Sequence, residues 1–282
     1  MNGNIANIEK VIDYIENNLS NKLDLDKISE AVHYSKYHLH RVFSDTVGMT
    51  IHDYVGRRQL TEAAKLLVFS DRPIIEIAFI CGYESQQAFS SAFKSMYKIP
   101  PAQYRENREF YPLQLRFTLH RNIANKEFNK DDICFAEKSD IPIWMDLMRL
   151  VIDGYPVMNE ADYLKEITRH IEEKHALVLK DDGILVGAMA FSDNPGCIDF
   201  LGIHPQYRNK GIQKLFLDAL LETYLPGQEI CTTTFREGDK ADIGHRDLLK
   251  QLGFAERELL MEFGYPTQRF VLPPKYMEDI QE

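Results

Sequence analysis

Two stretches decide the reading of this chain: YSKYHLHRVFSDTVGMTIHDYVGRRQLTEAAKLL at residues 34–67 and PIIEIAFICGYESQQAFSSAFKSMYKIPPAQYR at residues 73–105. In the first, Ser35 stands ahead of an apolar stripe of Leu39, Val42 and Phe43, and Gly48 follows it. That is the order of a helix cap, a buried helix face and a helix stop. The second repeats it: Pro73 opens a short helix with Ile74, Ile77 and Ala78, Gly82 makes a turn, and Ser85 caps a longer helix with Phe89, Ala92, Phe93 and Met96 inward. Pro100 and Pro101 end it. Between them, residues 51–69 read as one long helix with Tyr54, Leu60, Ala63, Ala64 and Leu67 toward the core. Upstream, Ile8, Val11, Ile12, Ile15 and Leu19 keep helical spacing, and Asp24 or Asp26 caps a short helix that turns Ile28, Ala31 and Val32 inward. A short helix, a glycine-containing turn and a longer helix thus occur twice, at residues 25–46 and 74–97. This is the shape of a helix-turn-helix, although periodicity alone suits a plain helical bundle equally well.

The exposed polar residues separate the two. In the first long helix of a pair, Tyr37, His40 and Arg41 point outward; in the second, Gln86, Gln87, Ser90 and Ser91 do. A groove-reading helix needs such donors: arginine takes guanine or phosphate, glutamine pairs bidentately with adenine, and tyrosine packs on base or sugar. Arg57 and Lys94 are phosphate candidates, while His38, beside Leu39, reads as a packing or helix-end residue. Residues 5–108 as a whole resemble the DNA-binding domain of the AraC/XylS regulators, in particular the branch that controls multidrug and superoxide responses. Lys98 stands where the wider family has glycine and Pro100 where it has Ser or Thr; both changes are shared by that branch. The resemblance implies an all-α double helix-turn-helix domain over residues 1–108, with double-stranded promoter DNA as partner and RNA polymerase beside it. Two units in one chain span two groove segments without dimerising, at a few kcal/mol of DNA bending (about 1–6) repaid by contacts.

Charge divides the same way. The net charge of −10 argues at first against nucleic acid, but residues 1–116 hold fourteen basic and fourteen acidic side chains, so the whole excess lies in the remainder. The length suits two domains. The opening MNGNIANIEK has no basic run before an apolar core, and nothing approaches 18 consecutive apolar residues, so a cytoplasmic protein without a membrane partner is expected.

Residues 109–131 read as a linker, with Leu113, Leu115, Phe117 and Leu119 alternating as in a strand and residues 122–130 as a connector. From 132 to 282 strands and helices alternate: strands near 133–136, 198–203, 229–235, 259–263 and 270–272, helices at 141–151, 211–224 and 242–252, and a hairpin of 176–179 with 184–191 around Asp181-Asp182-Gly183. This is an α/β or α+β domain with a central mixed sheet. FLGIHPQYRNKGIQKLFLDALL at 200–221 runs from a strand through a basic loop into a helix, an arrangement that offers backbone N–H groups and a helix dipole to pyrophosphate. With Leu252-Gly253-Phe254 closing a later helix, residues 132–272 resemble the GNAT acetyltransferases. The resemblance implies acetyl-coenzyme A as cofactor, held by Ile203, Arg208, Asn209, Lys210, Gly211 and Ile212.

The departures bear on catalysis. Gln213 occupies a Gly/Ala position of the family's loop, and Leu249 the place of its general-acid tyrosine; leucine has no proton to give. His245 or Tyr224 would have to act instead, with Asp199, Glu237, Asp239 or His204 as base; Asp199 and His245 are the catalytic candidates carried forward. Asp199 reads equally as an edge cap, and Glu237 and Asp239 as solvated loop residues. Three readings therefore stand side by side: a regulator whose GNAT-like domain is a sensor or effector arm for acetyl-coenzyme A or an amine-bearing small molecule; a regulator that is also an N-acetyltransferase of a small amine, a cationic class that the acidic second part would attract; and a regulator whose GNAT-like fold is only an interaction platform. Cys81, Cys134, Cys197 and Cys231 form no CxxC and are expected as reduced, buried thiols; nine histidines make no metal motif, and no metal is expected.

Overall fold

The helices of the first unit start where the sequence supplies a side-chain oxygen. In the computed structural model, which describes residues 2–120, 127–151, 159–262 and 264–274, these are α1 (Asn2–Asn17), α2 (Leu25–Ala31), α3 (Lys36–Val47), α4 (Ile51–Phe69), α5 (Ile74–Ile80), α6 (Gln86–Tyr97) and α7 (Pro101–Asn107). Asp24, Ser35, Thr50 and Ser85 cap α2, α3, α4 and α6 by accepting from the amide three residues on, each worth about 1 kcal/mol. Gly48 and Lys98 occupy equivalent left-handed positions after α3 and α6, at φ 75° and 67°. Most of the expected core is buried: Ile8, Val11, Ile12, Ile15, Ile28, Leu39, Phe43, Tyr54, Leu60, Ala63, Ala64, Leu67, Ile77, Ala78, Phe89, Phe93 and Met96 are, while Leu19, Val32, Val42, Ile74 and Ala92 are half-buried. Ala31 is exposed, because α2 ends there.

One expectation holds only in part and one fails. Pro100 and Pro101 end α6 but also begin α7, since proline at a first helical position costs no hydrogen bond. Leu113–Leu119 is not a strand. Leu113, Phe117 and Leu119 are buried with Leu115 outside, but their backbone is bonded to α4 side chains: the Leu113 and Gln114 amides donate to Thr61 Oγ1 at 3.1 Å each, and Arg58 Nη1 donates to the Gln114 carbonyl at 3.0 Å. Phe117 stacks on Tyr54. The first part of the expected linker is thus packed on the helical unit, whose compact body runs past residue 108. Residues 121–126 of the expected connector lie outside the described residues.

The second unit is a seven-stranded sheet in the order β1-β2-β3-β4-β5-β7-β6, from β1 (Ile133–Phe135), β2 (Ala176–Asp181), β3 (Ile184–Asp193), β4 (Gly196–Ile203), β5 (Ile230–Phe235), β6 (Ala255–Glu262) and β7 (Tyr265–Leu272). Helices α8 (Ile141–Val151), α9 (Glu160–Glu172), α10 (Ile212–Ala219) and α11 (His245–Gln251) complete it. A π-helical turn at Leu220–Tyr224 prolongs α10. The β2–β3 turn has Asp182 and Gly183 at positive φ, as a two-residue hairpin requires. α9 was not read from the sequence, although Asn159 caps it and Ile167 and Ile171 bury one face.

The sheet is two antiparallel halves, β1–β4 and β5–β7–β6. Among the described residues they meet at one parallel register pair, Cys197 with Cys231. These two cysteines are joined by a disulfide, and Cys134 is exposed on β1. The expectation of four reduced, buried thiols therefore holds only for Cys81. Thirty-four positions of chain separate Cys197 from Cys231, and only the strand order makes them neighbours.

Candidate functional sites

Both helices expected to read a groove present the expected residues. On α3, Leu39 and Phe43 are inward while Tyr37, His40 and Arg41 are exposed, Tyr37 by 82%. On α6, Phe89 and Phe93 are inward, Gln86, Gln87, Ser91 and Lys94 are exposed, and Ser90 is half-buried. His38 stacks on Tyr34, which is a packing role.

Arg57 departs from expectation. It is 2% exposed, because α4 is the central helix of the unit and is buried nearly all round. It has no solvated face to offer a phosphate. Its neighbour Arg58 is also buried, and is bound by Glu16 through Nε at 2.8 Å and Nη2 at 2.7 Å. Tyr54 donates to the same carboxylate at 2.8 Å. Burial pushes the Glu16 carboxyl up, but these bonds outweigh it and hold its pKa below the ordinary value.

In the second unit, the stretch 200–221 builds a strand–loop–helix corner. β4 ends at Ile203; residues 205–210 make a 3-10 turn with buried Pro205 and Tyr207; Gly211 leads into α10. Gly211 has φ 69° and ψ 16°, is exposed, and a Cβ there would meet nothing within 4 Å. Its role is the left-handed turn that points the loop into the helix, with open space in front. Asn209 is exposed and Arg208 half-buried, while Lys210 lies over the Tyr207 and Phe128 rings. Ile203 and Ile212 are buried and anchor the two ends. Gln213 is half-buried in the first turn of α10. Among the described residues no register pair beyond Cys197–Cys231 joins β4 to β5, so the strands run on toward this loop without a ladder between them.

The catalytic candidates fall in different places. Asp199 sits on a bulge of β4: Ala190 pairs with Phe200 and Phe191 with Ile198, so Asp199 has no partner across the ladder. A bulge re-aims side chains. Here Asp199 meets α9, accepting from Ser192 Oγ and lying 3.7 Å from Nε2 of His170. His170 is buried and, among the described residues, its Nδ1 has no hydrogen-bond partner; burial, the largest effect, lowers its pKa, against the Asp199 charge, which raises it. His170 escaped the sequence reading because α9 did. The available signal was Asn159 followed by apolar residues at Leu164, Ile167 and Ile171.

His245 is the first residue of α11, beside Phe235 at the end of β5, with its amide bound by Asp242. Leu249, one turn on, is half-buried. Tyr224 packs on Phe135 and Phe191. Glu237 is exposed, and Asp239 accepts from the Ala241 amide as a turn-building residue. His204 is buried at the start of the 3-10 turn, its ring against Tyr207. Asp199 and His245 are thus separate features and form no pair. Among the described residues no group of three His, Cys, Asp or Glu side chains could hold a metal ion, and no helix is long and apolar enough to cross a membrane.

Comparison with known proteins places both units. Residues 28–107 match a helix-turn-helix domain family, and residues 144–254 the acetyltransferase (GNAT) family. The chain is 38% identical over 118 residues to the multiple antibiotic resistance protein MarA of Escherichia coli, covering 40% of this chain and 93% of MarA. It is 33% identical over 136 residues to the transcriptional regulator Rob of Salmonella typhimurium, covering 48% of this chain and 46% of Rob. A GNAT-family acetyltransferase of Bacillus cereus aligns in structure over 50% of this chain and 96% of its own, with 17% identity and a TM-score of 0.39.

Proposed function

The chain belongs to the AraC-type transcription regulators and carries a GNAT-family domain after its DNA-binding unit; on that premise we propose that the second unit is an acyl-coenzyme A-binding sensor whose occupancy adjusts promoter binding by the first. We take the functional modules as residues 1–108 and 132–282, working in the cytoplasm on double-stranded promoter DNA beside RNA polymerase.

Gly211 carries the acyl-coenzyme A part. A left-handed residue in open space, between a basic turn and the first turn of α10, suits the approach of a pyrophosphate. Arg208, Asn209 and Lys210 would flank the phosphates, with Ile203 and Ile212 holding the loop's ends. The edges of β4 and β5 beyond their single pair leave extended backbone for an extended ligand. When bound, the cofactor would supply an activated acyl group. Leu249 gives no proton to a departing thiolate, which favours sensing over turnover. The test is calorimetric titration of the full chain with acetyl-coenzyme A, with a thiol-release assay on the same sample across a panel of amines. Binding without release supports the sensor; the absence of binding refutes it.

For DNA, Tyr37, His40 and Arg41 on α3 and Gln86, Gln87, Ser90, Ser91 and Lys94 on α6 are the proposed reading and phosphate contacts. Their support is exposure, partial for Ser90, on the helix face opposite the buried stripe.

A second reading, N-acetylation of a small amine, is favoured by one observation. Asp199, re-aimed by its bulge, is 36% exposed and backed by His170. A carboxylate so placed can hold an ammonium ion and accept its proton. His245, at the other strand's end, is the remaining acid for that reading. Amine-dependent release of thiol that falls by about a hundredfold in Asp199→Asn would establish it.

A further inference from the structure

We propose that Cys197 and Cys231 are a reversible thiol–disulfide exchange site, with low-molecular-weight thiols and their disulfides as co-reactants, that fastens and releases the junction between the two halves of the second unit's sheet.

Three observations carry this. The first is position. The disulfide lies on the one register pair by which β4 and β5, and therefore the two antiparallel halves, are laddered together. Besides it, the Thr232 hydroxyl donates to the Ile198 carbonyl at 3.0 Å. β3 and β4, by contrast, share seven register pairs, from Gly187 with Ile203 to Asp193 with Gly196. A covalent tie at the thinnest seam of a sheet controls more of its local opening than the same tie inside a full ladder.

The second is access. Cys197 is half-buried and Cys231 is 9% exposed, so an incoming thiolate has one sulfur to attack. The other two cysteines are placed differently. Cys81 is buried, which pushes its thiol up to about 12 and leaves it protonated at neutral pH. Cys134 is exposed on β1, at the far edge of the sheet from β5.

The third is compartment. A protein that meets promoter DNA works where thiol pools keep cysteines reduced, and disulfides there are as a rule transient, catalytic or sensing.

The chemistry balances with two small thiols. A thiolate attacks Sγ of Cys197; the protein S–S bond breaks, a mixed disulfide forms on Cys197, and Cys231 leaves as a thiolate that takes a proton. A second thiolate attacks the small molecule's sulfur, forming the low-molecular-weight disulfide and freeing Cys197, which is protonated in turn. The protein gains two electrons and two protons, and the two thiols lose them. Oxidation is the reverse, with the small disulfide as oxidant. In the reduced form β4 and β5 keep their backbone, Thr232 and packing contacts but lose the covalent tie, so their facing amides open more often.

The test uses the full chain equilibrated in glutathione buffers of stepped reduced-to-oxidised ratio. Thiol trapping with mass mapping reads the state of each cysteine, and amide hydrogen exchange reads the seam. The expected result is a pair that opens and closes within the range of ratios, with reduction raising exchange at least tenfold at residues 198–200 and 232–234 while β1–β3 stay unchanged. Cys197→Ser should show the reduced pattern in every buffer, and Cys134→Ser should behave as wild type. A bond that stays shut in excess reduced glutathione, thiols that never pair, or equal exchange in both forms would overturn the proposal. Acetyl-coenzyme A titrated into each form gives an independent readout: failure of both forms to bind refutes the sensor reading and leaves the thiol and exchange results to decide the redox site.

Discussion

Arg58 grips Glu16 through two nitrogens across forty-two positions of chain, tying α4 to α1 where both side chains are at least nine-tenths buried. Removing Arg58 leaves a buried carboxylate held by the Tyr54 hydroxyl alone, and removing Glu16 leaves Arg58 only the more exposed carboxylate of Glu62 at 3.1 Å. Glu16→Ala or Arg58→Ala should therefore cost about 3–5 kcal/mol of the first unit's stability in urea titrations. The double variant Glu16→Leu with Arg58→Met should recover most of that loss.

Acid should weaken the two units in order. His170 is held below its ordinary value of 6.5 and Glu16 below 4.5. For a lowered pKa the unfolded chain takes the proton first, so stability is present above the unfolded value and is lost as pH falls through the folded one. The second unit should begin to lose stability below about pH 6.5 through His170, and the first through Glu16 only below about pH 4.5. Fluorescence of Trp144, in α8, against an exchange probe in α4 would follow the two separately; simultaneous loss would contradict the assignment. His170→Phe should flatten the first step.

The reading faces make a quantitative claim. Arg41→Ala and Gln87→Ala should each weaken specific promoter binding by about 1–3 kcal/mol, measured by fluorescence anisotropy on the cognate site. Lys94→Ala should weaken all sequences alike and lower the salt slope by about one. Arg57→Ala, changing a buried residue, should instead appear as lost stability.

Gly211 needs a left-handed backbone that a β-branched residue strongly disfavours. Gly211→Val should lower acetyl-coenzyme A affinity about tenfold or more and lower the second unit's melting by a few degrees, from roughly 1–2 kcal/mol of local strain. Gln213→Ala is the complementary experiment. Tighter binding would mean that the glutamine crowds the phosphates, and unchanged binding that it points away.

Lys98 adopts after α6 the conformation that Gly48 adopts after α3. Lys98→Gly should stabilise the first unit by up to about 1 kcal/mol. The loss of the bond from its ammonium to the Ser95 carbonyl offsets part of this.

What the sequence determined by itself was whatever depends on near neighbours. Ser35, Thr50 and Ser85 start helices through amides three residues away, the stripes through Leu39–Phe43 and Phe89–Phe93 repeat at helical spacing, and Asp182-Gly183 turns a hairpin within itself. The exposed residues opposite those stripes follow from the same geometry, so both exposed polar faces were legible. The strand–loop–helix corner at Gly211 was legible for the same reason. Only the tertiary structure decided relations between distant segments. Arg57 reads as one more outward arginine until α4 proves to be surrounded. Leu113–Leu119 alternates like a strand yet bonds to Thr61 and Arg58. Asp199 becomes a directed carboxylate only because its strand pairs out of step with β3, beside a histidine that α9 brings from a distant part of the chain. Cys197 and Cys231 meet only because two half-sheets are joined at one pair. Hydrogen-bond reach and helical period act over a few residues, whereas burial, register and strand order are set by which distant surfaces exclude water together, and no local pattern encodes that choice.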